Sequence, residues 1–192
     1  MKQLSLFLGA LALLLSAAGC QRPEAAEAEA ALNGPAAPAV DAVDRGRYLV
    51  TVAGCNDCHT PFKMGPNGPE PDMTRMLAGH PQELQMPPAP AGQGPWVWSG
   101  AATNTAFAGP WGVSYASNLT PEPNTGLGIW TEELFIKALR TGRHWGQARP
   151  ILPPMPWQNY SRMTDDDLKA MYAYLRTIPP VANSVPESIP AP

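Results

Sequence analysis

The residues with the most evident chemistry are Cys55-Asn56-Asp57-Cys58-His59. Two thiols three positions apart, followed at once by an imidazole, have the spacing of a c-type haem attachment site. On one helical turn both sulfurs reach the vinyl groups of one porphyrin as thioethers. His59 then lies under the iron as its proximal ligand. Two other readings of a Cys-x-x-Cys compete. Half of a zinc site would need a second ligand pair, and His80 and His144 stand alone in the chain. A thioredoxin-like redox pair would need a βαβ context, which the surrounding sequence lacks. One covalent haem c is therefore expected.

A second axial ligand must come from the eight methionines, His80 or His144. It should be held stiffly in a loop rather than ride on an amphipathic helix. Met155 stands in Pro153-Pro154-Met155-Pro156-Trp157, where flanking prolines fix φ and extend the chain. Met86, in Gln85-Met86-Pro87-Pro88, is the rival. Met163 and Met171 read as packing residues, Met1 lies in a leader, and Met64, Met73 and Met76 have no comparable frame. His59 and Met155 are the expected metal ligands.

The elements that must position these groups follow from local patterns. Asp41 to Ala53 reads as a helix delivering the motif. Gly46 inside it costs about 1 kcal/mol, which implies a second helix crossing close to its backbone. Thr131 opens another helix, with Glu132 and Glu133 in its first turn and Gly142 as its stop. Thr164 caps a third, in which Leu168, Met171, Tyr172, Leu175 and Ile178 recur at helical spacing. Met163 before the cap and Leu168 inside it form a staple. Pro179-Pro180 ends that helix.

The chain has 192 residues, 44% of them apolar, with 24 prolines, 17 glycines and a net charge of −3. No basic face for nucleic acid is present. Residues 61–112 contain ten prolines and eight glycines, a composition close to that of disordered segments. This region reads as a long loop insertion. Trp96, Trp98, Phe107 and Trp111 imply order from about Gly94 onward, whereas Met64 to Gly92 reads as a surface excursion.

Met1-Lys2 and the apolar run Leu4 to Ala18 read as an export signal covering residues 1–19. Ser16-Ala17-Ala18-Gly19-Cys20 resembles a lipobox, which would make Cys20 a lipidated first residue. Ordinary cleavage near Gly19 is the alternative. Residues 20–42, rich in Ala, Glu and Pro, form an expected disordered tether. The folded domain is expected over 43–180, followed by an extended tail at 181–192.

Ser117-Asn118-Leu119-Thr120-Pro121, Thr125-Gly126-Leu127-Gly128-Ile129-Trp130, Pro154-Met155-Pro156-Trp157, Met163-Thr164-Asp165 and Ala173-Tyr174-Leu175-Arg176 carry a resemblance to a known family. With the haem motif, they resemble class I c-type cytochromes, in particular the haem domains of the cytochrome c subunit of membrane-bound alcohol dehydrogenases. Those subunits carry three such domains, and this chain has one attachment motif. The resemblance implies an all-α class I cytochrome c fold, with short helices wrapped round one haem. It also implies that Gly46 meets the face of Tyr174, that Leu119 lies on the porphyrin, and that a nearby carbonyl holds the His59 ring N–H. Trp130 would donate to a haem propionate, or else serve as a core aromatic.

His/Met ligation leaves no open iron position, so the expected role is one-electron transfer rather than enzymatic catalysis. The expected setting is the periplasm, with a lipid anchor at Cys20. The expected partners are a dehydrogenase and a terminal oxidase or another cytochrome. Alternatives are a subunit fixed within a dehydrogenase complex, and a haem enzyme or gas sensor with a labile sixth ligand.

Overall fold

The computed structural model describes residues 41–88 and 95–191. The expected leader, Cys20 and nearly all of the tether lie outside the described residues. Helix α1 (Ala42–Val52) starts at Asp41, whose carboxylate accepts from the N–H groups of Val43 and Asp44. That cap satisfies donors that no helical carbonyl can reach. Gly54, at φ 70°, turns the chain into α2 (Cys55–His59). Helix α3 (Glu132–Thr141) has the Thr131 hydroxyl on the Leu134 N–H and stops at Gly142 in the left-handed region. The short α4 (Trp157–Tyr160) leads to α5 (Asp165–Leu175), capped by Thr164. The α5 helix ends one turn earlier than the spacing predicts, with Ile178 still buried beyond it.

The core forms where α1, α3 and α5 meet. Leu49 and Val50 face Phe135, Leu139, Leu168, Met171 and Leu175. Full burial of one such side chain contributes about 1.5–3 kcal/mol, and Leu168 is completely enclosed. The closest approach is at Gly46. A Cβ there would stand 1.9 Å from the Ala170 carbonyl oxygen and 2.8 Å from Tyr174 Cβ. The expected crossing of first and last helices is therefore present.

The all-α expectation is wrong. Among the described residues, five short helices are accompanied by six strands in two antiparallel sheets. Strands β1 (Phe62–Gly65) and β2 (Gly68–Pro71) form a hairpin around Pro66-Asn67. Strands β3 (Ser99–Gly100), β4 (Ala106–Gly109), β5 (Gly112–Tyr115) and β6 (Ile189–Pro190) form the second sheet in that order. The physical reason lies in where the prolines fall. They occupy turns, as at Pro66 and Pro110, or strands at a sheet edge, as at Pro69 and Pro190. There the missing N–H breaks no central ladder. A Pro/Gly count over the whole stretch hides this pattern.

The stretch between the sheets is also not a surface excursion. Leu77, Ala78 and His80 are fully buried. Gly79, at φ 79°, lets residues 77–80 press against 116–119, since a Cβ would lie 2.5 Å from the Ala116 carbonyl oxygen. Bonds His80 N–H to Ala116 (2.9 Å) and Leu119 N–H to Leu77 (2.8 Å) close the contact. The tail turns inward as well. Asn183 is buried, and its side chain donates to the Ala78 and His80 carbonyls (2.7 and 2.8 Å) and accepts from Gln82 N–H and Arg75. Among the described residues, no helix is long and apolar enough to cross a membrane.

Candidate functional site

A cavity of about 770 Å³ opens between the helices and the four-stranded sheet. This is within the range of cofactor sites. Cys55, Cys58 and His59 line it from α2, Leu119 and Trp130 from the connection before α3, and Met155 from the loop before α4. All six residues singled out from the sequence thus share one cavity. Met86 is not on its wall, and Met64 projects into solvent, 78% exposed.

His59 is buried, and its Nδ1 donates to the Ser117 carbonyl at 2.7 Å. That bond fixes the tautomer and ring plane, and leaves Nε2 as the nitrogen with a free lone pair. A carbonyl behind an imidazole is the usual support for a metal-ligating histidine. Burial pushes the ring below its ordinary pKa, opposed by the Ser117 carbonyl, so the imidazole is neutral at pH 7 as ligation requires. The main chain behind it is tied to the insertion, since the Gly79 N–H reaches the His59 carbonyl at 2.8 Å.

The two thiols are free and not bonded to each other. Burial pushes Cys55 up to about 12 and raises Cys58 too. A redox-active Cys-x-x-Cys needs a depressed thiol pKa, so this pair has the opposite electrostatics. Among the described residues, no group of three or more His, Cys, Asp or Glu is placed to hold a metal ion. Covalent capture by two thioethers plus one axial nitrogen is the chemistry these side chains fit.

Met155 is partly buried against the core. Its loop is held at two points. The Ile151 N–H bonds the Gly142 carbonyl (2.8 Å), and the Ser114 hydroxyl donates to the Pro153 carbonyl (2.6 Å). Trp130 stacks on Trp145 at 4.8 Å and meets the edge of His144 at 5.2 Å. Its own carbonyl accepts from Tyr172 Oη at 2.5 Å. Among the described residues, Arg149 is the one Lys or Arg on the cavity wall, and it pairs with Glu187 of the tail at 3.5 Å. His144 nearby is held below its ordinary value by burial and by the Arg149 charge, against an opposite pull from Glu187.

Several contributors were not foreseen. Tyr160 donates to the Ala53 carbonyl at 2.7 Å, tying α4 to the turn before Cys55. Trp98 and Phe107 bring the insertion onto the wall, Tyr115 the strand just after it, and Val185 to Ser188 the tail. The aromatic cluster after Gly94 was the available signal for the insertion. Nothing local in the tail marks it.

No family model matches the chain. Among curated proteins, it is 32% identical over 143 residues to the fructose dehydrogenase cytochrome subunit of Gluconobacter japonicus, covering 74% of this chain and 22% of that protein. It is 31% identical over 148 residues to the cytochrome c subunit of a quinone alcohol dehydrogenase of Gluconobacter oxydans, covering 76% and 24%. It is 38% identical over 147 residues to the gluconate 2-dehydrogenase cytochrome c subunit of Pantoea cypripedii, covering 76% and 25%. The chain spans about a quarter of the length of these relatives.

Proposed function

From its similarity to the cytochrome subunits of fructose, alcohol and gluconate dehydrogenases, we propose that this chain is a c-type cytochrome, a one-electron carrier holding a single covalent haem c. The carrying observation is that Cys55, Cys58, His59 and Met155 line one cavity, with His59 held by the Ser117 carbonyl. A single Cys-x-x-Cys-His in the chain supports one haem. Such a group, when bound, supplies a reversible ferric/ferrous couple, which thioether coordination biases toward the reduced state.

The chain's own residues have distinct tasks in this reading. Cys55 and Cys58 would anchor the group, and His59 and Met155 would supply its iron with an imidazole nitrogen and a thioether sulfur. Leu119 gives an apolar face. Trp130 and Arg149 would meet the cofactor's carboxylates, with Arg149 supplying a counter-charge. Partners are a dehydrogenase on the donor side, as the relatives' names suggest, and a terminal oxidase or second cytochrome on the acceptor side. The setting is the periplasm, with attachment to a membrane through an acylated Cys20.

The test is spectroscopic. The ferric protein should show a methionine–iron charge-transfer band near the red edge, and the ferrous protein should resist carbon monoxide. Met155→Ala should abolish the band, admit carbon monoxide and lower the potential, with the haem still attached. Met86→Ala should change none of these. A band that survives Met155→Ala and vanishes with Met86→Ala would move the ligand into the insertion.

A further inference from the structure

The loop that presents Met155 has almost no hydrogen bonds of its own. Of Pro153, Pro154, Met155 and Pro156, three lack an N–H. Among the described residues, 152–155 make one hydrogen bond, from the Ser114 hydroxyl to the Pro153 carbonyl at 2.6 Å. Ser114 is buried on β5, in the middle of a strand paired to β4. Its Oγ also accepts from Trp111 Nε1 at 3.2 Å. The hydroxyl has one proton to give, and the Phe107 carbonyl at 3.4 Å is a much poorer recipient than Pro153. The proton is therefore directed to the Met155 loop, and the indole N–H behind it holds the hydroxyl oxygen in place.

We propose that Ser114 is a positioning residue for Met155 as a ligand: the strand that follows the insertion latches the Met155 loop through this hydroxyl and so sets how readily the methionine yields its place. The proposal rests on the ligation described above. It gives the 61–112 segment a role beyond covering the cavity, since its residues Phe107, paired with Ser114 across the sheet, and Trp111, bonded to the hydroxyl, hold the group that governs a ligand from outside it.

The experiment uses the mature haem-loaded protein and titrates imidazole against the ferric charge-transfer band. Ser114→Ala should keep the band in plain buffer. It should surrender Met155 at about one tenth of the imidazole concentration, which is the worth of one neutral hydrogen bond. Ser114→Cys, close in shape with a weaker donor, should fall between alanine and serine, and it decides the matter if the alanine variant does not mature. Trp111→Phe removes the indole donor but leaves the bond to Pro153. It should lower thermal stability with a smaller change in imidazole affinity. Unchanged imidazole affinity in both Ser114 variants overturns the proposal, as does a shift from Trp111→Phe equal to that from Ser114→Ala. If the parent protein itself lacks the band, the His/Met assignment fails instead, and the two failures are thereby separated.

Discussion

Replacing Gly46 with alanine tests the helix crossing on which the whole site is mounted. Alanine is the better helix former by about 1 kcal/mol, so α1 alone would gain. The crossing decides otherwise. The new Cβ would lie 1.9 Å from a backbone oxygen of α5, where 3.4 Å is the lower edge of ordinary contact. No rotamer can relieve a clash between a Cβ and a main-chain atom, so the helices must separate locally by about 1.5 Å. Overpacking costs typically about 1–3 kcal/mol, and a clash with fixed backbone belongs at the upper end. Net of the helix gain, the loss is about 2 kcal/mol, or about 4–8 °C in melting temperature for a domain of this size. The assay is thermal unfolding of the haem-loaded protein followed by far-UV circular dichroism. Thr51→Ala, at an exposed position on the same helix, serves as the control and should shift stability by less than about 0.5 kcal/mol. A Gly46→Ala protein that melts at or above the parent temperature would refute the close crossing.

The remaining predictions concern separate parts of the chain. Cys20→Ala should release the mature protein from the membrane fraction, because two acyl signals are needed for stable attachment; unchanged partition would reject a lipid anchor at that residue. His80 is buried, with the Thr105 hydroxyl and the Leu84 carbonyl on its two ring nitrogens and its pKa held down mainly by burial. The unfolded chain then binds its proton first, so stability should begin to fall as pH drops below about 6.5. Urea midpoints between pH 7 and 5 should show this slope in the parent and a smaller one in His80→Gln, since His59 and His144 are held down as well; equal slopes would count against it. Asn183→Ala strands the Ala78 and His80 carbonyls and the Gln82 N–H, and should cost about 3 kcal/mol in denaturant unfolding, where a loss under 1 kcal/mol would show the tail to be dispensable.

The helical frame was legible because its signals are local. Thr131, Gly142 and Thr164 each mark a helix end by chemistry that needs no partner elsewhere. Gly46 was legible as well, since a glycine inside a good helix demands an external reason. The cysteine and histidine spacing, and the proline frame around Met155, picked out residues that do share a cavity. What stayed hidden is non-local. Asn67-Gly68 and the turn at Pro110-Trp111 are hairpin signals, yet the surrounding composition reads as disorder. Strand β6 holds two residues, and its partner Val113 is 76 positions away from Ile189. The burial of Asn183 rests on contacts with residues 75–82. No window of sequence contains both halves of such a contact.

The position of Asn183 also has a consequence for the order in which the molecule is completed. Its bonds to residues 78–82 span about a hundred positions of chain, and contacts of such separation close late in folding. Until residue 183 arrives, the segment pressing on 116–119 lacks its tie to the tail, and Val185 to Ser188 are missing from the cavity wall. The thiols of Cys55 and Cys58 sit near the start of the domain, on a helix whose own backbone bonds are short-range. A chain emerging from its N-terminal end therefore presents its attachment cysteines while the wall opposite is still open, and the C-terminal residues shut the site afterwards.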